Sequence, residues 1–138
     1  MIDEYLESKV ATATPYQLHL MVIDGAIRHA RAAQTALEQK KLPESRAALG
    51  QARKFVAELL SGLDEKRMAE VVVRLRAVFL FALRNLVQAD LEHKPQLVAD
   101  SLSILEEHRQ TWLAVAERLK QESPALAVSS AGGYSWSS

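Results

Sequence analysis

Residues 12–28 read TATPYQLHLMVIDGAIR, and the opening of this stretch fixes where a long helix begins. Thr14 stands where an N-cap belongs: its hydroxyl can accept the backbone N–H of Gln17, and the Gln17 side chain can reach back to the cap. Pro15 loses nothing as the first helical residue, because that N–H has no partner inside a helix and the ring already holds a helical φ. The helix therefore starts at Pro15, and residues 1–13 form a separate N-terminal arm. Beyond the cap, Leu18, Val22, Gly25, His29, Ala32 and Ala36 recur at three- and four-residue steps and mark the expected buried seam.

Outward from this start, punctuation and spacing delimit three more helices. The first helix runs to about residue 40, where Lys40 and Lys41 suit a helix C-terminus and Leu42-Pro43 make a short turn. The second runs from Pro43 to about Ser61 along a seam of Ala48, Ala52, Val56, Leu59 and Leu63, with Gly62 as its stop. After a charged link over 64–67, a third spans about 68–91, with Val72, Leu75, Phe79, Ala82, Leu86 and Ala89 as its seam. The fourth spans about 95–121 along Val98, Leu102, Leu105, Arg109, Trp112, Ala116 and Leu119. Helices of this length joined by such short links run antiparallel to their sequence neighbours. The expected fold is all-α, an up-down-up-down four-helix bundle over 1–122 that includes the arm. Residues 123–138 lose periodicity and turn to Ala, Ser and Gly, which reads as a mobile C-terminal tail.

A chain of 138 residues suits one domain with its own core. Its 17 Lys plus Arg balance 17 Asp plus Glu, so the overall field draws it neither to nucleic acid nor to anionic lipid. The absence of cysteine excludes disulfides and thiolate chemistry and agrees with a reducing cytosol. The N-terminus carries Asp3, Glu4 and Glu7 rather than a basic n-region followed by an apolar h-region. No apolar run reaches the ~18 residues of a membrane span. The expectation is a cytoplasmic protein with no membrane insertion, existing as a monomer or weak homodimer.

The third helix is more apolar than a bundle member requires. At 100° per residue its apolar side chains cover roughly 220°, against a stripe only slightly wider than ~100° for ordinary packing. Val73, Leu80 and Val87, seven residues apart, fall outside the seam, and Phe81 lies farther round still. Leaving such side chains in water forgoes about 1.5–3 kcal/mol each. Three covers are open: the arm, with Ile2, Tyr5, Leu6 and Val10, folding back; a bundle splayed enough to bury them; or an amphipathic helix or extended apolar segment of a partner laid into a groove. The same helix is locally basic, with Arg74, Arg76 and Arg84.

Signs of catalysis are missing. Asp90-Leu-Glu-His93 is the nearest approach to a di-metal Glu-x-x-His repeat, and it is single and at a helix end. His29 reads as a core or boundary histidine, and His19 and His108 as partly exposed. Gly25, Gly50 and Gly62 are isolated and make no phosphate loop. No metal, cofactor or catalytic residue is expected.

Several blocks together give this chain a family likeness. They are Tyr5, Val10 and Thr14-Pro15; then Leu18, Leu20, Met21 and Asp24-Gly25-Ala26; then Glu58-Leu59 with Leu63-Asp64; then Phe79, Phe81, Arg84, Leu86, Ala89 and Asp90; and Thr111-Trp112. In this order and at these separations the chain resembles the flagellar secretion chaperone family FliS from about residue 2 to 119. It departs from the family pattern at Ile23, where an aromatic is usual, at Phe79 and Phe81, where tyrosines are usual, at Lys66-Arg67, which replaces Gly-Gly, and at Asp90, which replaces Asn. The resemblance implies a cytosolic, non-enzymatic export chaperone. Such a chaperone binds the disordered C-terminal segment of flagellin, prevents premature polymerisation and delivers it to the flagellar type III export gate protein. The surplus apolar arc of the third helix places the client on the surface built on Val73, Leu80, Phe81 and Val87, and the resemblance implies that Ile2 and Tyr5 of the arm cover part of it and contact the gate. The competing reading is a generic helical-bundle interaction domain, an adaptor or co-chaperone with a different client.

Overall fold

A computed structural model describes residues 14–64 and 66–122. The expected arm, with Ile2 and Tyr5, and the expected tail lie outside the described residues. Four helices follow in order: α1 (Pro15–Glu38), α2 (Leu42–Ser61), α3 (Ala69–Glu92) and α4 (Pro95–Glu122). The start of α1 is the capping box its sequence specifies. Gln17 N donates to Thr14 Oγ1 at 3.1 Å, and Thr14 N donates to Gln17 Oε1 at 3.0 Å.

The helices form a ring in which α1 packs on α2 and α4, and α3 packs on the same two. Cross-helix pairs set the directions. Along α1, Tyr16, Asp24 and Arg31 meet Trp112, Arg109 and Glu106 in falling order on α4. On α3, Phe79 and Ala82 meet His108 and Ser101. Both pairs are thus antiparallel, as links this short require, and the fold is the expected four-helix bundle.

The core joins Ile23, Ala26, Ile27, Ala30, Ala33 and Leu37 of α1 to Leu49, Ala52, Val56 and Leu59 of α2. From the other side come Phe79, Ala82, Leu86 and Ala89 of α3 and Val98, Leu102, Leu105 and Trp112 of α4. The seam expected for α3 is recovered nearly residue for residue; on α4 Val98, Leu102, Leu105 and Trp112 are buried and Ala116 is half-buried, while the Leu119 side chain lies outside the described ones. Leu75 is only half-buried, and Arg109 stands at the edge of its seam, held by Asp24 at 2.5 Å.

On α1 the expected seam holds at Gly25 and Ala36 but is otherwise rotated by about one position. Leu18, Val22 and His29 are half-buried and Ala32 is exposed, while His19, Ile23, Ala26, Ala30 and Ala33 are fully enclosed. Apolar residues at 18, 20–23, 26 and 27 wrap α1 too broadly for periodicity to choose between adjacent registers. The neighbouring helices choose, because the alanines at 26, 30 and 33 allow close approach.

Helix ends also differ from the glycine rule. Gly62 closes α2 with a right-handed φ of −78°, while the left-handed positions belong to Lys40, Met68 and His93, with φ of 58°, 47° and 57°. Capping bonds sustain two of these non-glycine conformations: Lys41 N donates to Ala36 O across the α1 terminus, and His93 N donates to Ala89 O.

Candidate functional site

The row outside the α3 seam is open to solvent. Val73 is 61%, Phe81 52% and Val87 41% exposed, and Leu80 is half-buried. The structure brings these four sequence-selected residues to one side of one helix. Two further exposed valines of α3, Val71 and Val78, lie on its other flank, and Leu91 at its C-terminal end is 71% exposed. Sequence reasoning gave Val71 and Val78 no role, and it missed Val115 of α4, also exposed. The antiparallel pairing of Phe79 with His108 places Val115 near the level of Val71. A heptad seam read on one helix carries no signal for such a juxtaposition.

The orientation of α3 explains the exposure. Its inner face is held from both sides: Ser101 Oγ of α4 donates to Ala82 O at 2.8 Å, and Asp90 accepts from Arg53 of α2 at 3.3 Å, with Arg46 at 3.6 Å. These contacts lock the rotation of α3. Along the middle of the outward face, Arg74, Ala77, Phe81, Arg84, Gln88 and Leu91 are all exposed and repeat at three- and four-residue steps. The stripe has the spacing by which one helix receives another. It is apolar and cationic, since residues 71–89 contain three arginines and no Asp or Glu.

The opposite diagonal of the bundle is closed. His108 is partly exposed, as expected, whereas His19 is fully buried, which corrects the expectation that it too is partly exposed. Antiparallel packing of α1 on α4 sets His19 Nε2 2.8 Å from His108 Nε2. Trp112 lies against His19 with ring centres 4.1 Å apart, Tyr16 stacks on Trp112, and Phe79 meets His108 edge-on. Burial pushes the His19 imidazole down to about 2, with the neighbouring His108 adding to the effect, and pushes His108 down to about 4. Both rings are therefore neutral at ordinary pH, and one must donate to the other. The pair is a structural hydrogen bond inside an aromatic cluster.

Between these faces, α1 and α4 are laced by Asp24–Arg109 at 2.5 Å and Arg31–Glu106 at 2.7 Å, which flank a polar cleft of about 540 Å³. Gly25 lies against α2, where a Cβ at this position would sit 2.4 Å from the Phe55 ring. His29 stacks on the same ring at 5.4 Å, a boundary histidine as expected. Among the described residues no group of three or more His, Cys, Asp or Glu could hold a metal ion. No described helix is long and apolar enough to cross a membrane.

The family model described as flagellar protein FliS matches residues 1–119. Three relatives carry the name flagellar secretion chaperone FliS. The Salmonella typhimurium protein is 29% identical over 114 residues, covering 82% of this chain and 84% of the relative. The Bacillus subtilis protein is 28% identical over 108 residues, covering 78% and 80%. The Vibrio cholerae protein is 24% identical over 107 residues, covering 78% and 79%. The family match spans the whole described bundle to within a few residues of its end, takes in the capping box of α1 and the outward row of α3, and makes this chain a member of the FliS family.

Proposed function

We propose that this protein is a cytoplasmic export chaperone for flagellin. It binds the disordered C-terminal segment of flagellin on the outward face of α3, keeps it from polymerising early, and delivers it to the flagellar export gate protein. Family membership supports the class of function. The observation that carries the site is the run of large apolar side chains, Val73, Phe81 and Val87, left in water by a bundle whose core is otherwise complete. A client segment folding against this row would offset its ordering entropy by burying apolar area on both partners, with no bound nucleotide or metal involved. In the same reading the free protein is a monomer or weak dimer, and the arm, through Ile2 and Tyr5, covers part of the site and touches the gate.

Titration of a fluorescent flagellin C-terminal peptide against the full chain tests the site. Phe81→Asp and Val73→Asp should each weaken binding at least tenfold, about 1.4 kcal/mol, with an unchanged helical circular dichroism spectrum. Unchanged affinity in both variants would place the client elsewhere. A scrambled peptide that binds equally well would reduce the protein to a generic interaction domain.

A further inference from the structure

The outward face of α3 carries charge as well as apolar surface. Arg74 and Arg84 flank Ala77 and Phe81 on the exposed stripe. Among the described residues neither has an ion pair or side-chain hydrogen bond, although α1, α2 and α4 engage Arg31, Arg46, Arg53 and Arg109 in pairs. The α3 residues that do carry negative charge lie outside the stretch between them. Asp90 is turned to α2, Glu92 is engaged by Gln88 and Lys94, and Glu70 precedes the stripe. The face therefore presents an aromatic side chain and a low point at Ala77 between two guanidiniums that find no counter-charge among the described residues.

We propose, resting on the assignment of α3 as the client site, that the occupant is an amphipathic helix carrying two carboxylates about three turns apart, one for each arginine. Ten residues separate Arg74 from Arg84, about 15 Å along the axis. A partner helix with Asp or Glu ten or eleven positions apart spans that distance while its apolar side chains lie over Ala77 and against Phe81. In solvent such ion pairs contribute little. Beside a buried aromatic contact they are partly dehydrated, and two fixed charges set the register of a helix that an apolar stripe alone would let slide. The chemistry selects an acidic client segment over an equally apolar neutral one.

The experiment uses the full chain and the flagellin C-terminal peptide at low and high salt. Arg74→Gln/Arg84→Gln should weaken binding about tenfold at low salt and flatten the salt dependence, whereas Phe81→Asp should weaken it at every salt concentration. Replacing the peptide's Asp and Glu by Asn and Gln should reproduce the loss with the parent protein and add nothing with the double variant. Arg74→Lys/Arg84→Lys should recover part of the affinity. If Phe81→Asp fails to bind while the double Gln variant binds like the parent, the charge inference is overturned and the site stands. If both bind like the parent, or the peptide does not bind the parent, the site assignment falls and the inference with it. Tighter binding by the double Gln variant would assign the guanidiniums to an acidic segment of the protein itself or of a second copy, and would likewise overturn the proposal.

Discussion

Helices α1 and α3 are each 24 residues long and stand on opposite corners of the bundle, yet α1 buries nine residues and α3 only five. The more enclosed helix is the one with small side chains: Gly25, Ala26, Ala30, Ala33 and Ala36 let α2 and α4 close on it. Helix α3 places Phe79 and Leu86 inward and leaves Val73, Phe81 and Val87 outside. Burial follows how closely neighbours can approach, and the surplus apolar surface of α3 is what remains once its inner seam has packed on its two neighbours α2 and α4.

Two phenylalanines one turn face apart give the sharpest test of that contrast. Phe79 is fully buried against His108 and Phe81 is half in water. Phe79→Ala should cost about 3–5 kcal/mol in urea denaturation, while Phe81→Ala should stay within about 0.5 kcal/mol. A comparable loss from Phe81→Ala would mean that its ring is covered within the protein itself.

The closed diagonal should reveal itself in acid. Folding holds His19 and His108 neutral, with values lowered to about 2 and about 4, while the unfolded chain starts to protonate both near pH 6.5. Falling pH therefore adds protons to the unfolded state first. The stability contributed by the pair is full above pH 6.5 and is lost below it, by about 1.4 kcal/mol per histidine at pH 5.5. Denaturation midpoints across pH 8 to 5 measure the slope, and His108→Asn should flatten it. A slope untouched by that change would place the titration in other groups.

The smallest expected effect concerns the contact that lets α2 approach α1. Gly25→Ala gains about 1 kcal/mol of helix propensity but drives a methyl into the Phe55 ring, where overpacking costs about 1–3 kcal/mol. The variant should be destabilised by roughly 1 kcal/mol. In a Phe55→Ala background, where the ring is gone, the same change should stabilise. A double-mutant cycle from thermal melts reads the difference, and equal effects in both backgrounds would show that the ring does not set the spacing.

Much of this architecture is legible from residues a few positions apart. The Thr14–Gln17 box, the prolines at 15, 43 and 95 and the short links over 39–41 and 93–94 give four antiparallel helices. The seams of α3 and α4 are legible because large apolar side chains repeat there without rivals. Helix α1 is different: apolar residues at adjacent registers left its seam one position off, and a histidine counted as polar hid the most buried aromatic contact in the bundle. Arg74 and Arg84 are visible in the sequence as basic residues, but their lack of counter-charge emerges only once Asp90 is seen turned to Arg53.

Where the helices begin, how many there are, and that α3 carries more apolar surface than one seam can bury are all written in the residue order. These follow from caps, ring-locked φ angles and periodicity, which act within a turn or two of the chain. Only the tertiary structure decided which register of α1 faces inward, that His19 meets His108, and that Val73, Phe81 and Val87 stay uncovered by the neighbouring helices. Burial belongs to two surfaces at once, so it depends on the shape of a neighbour distant in sequence, and no pattern along a single helix contains that information.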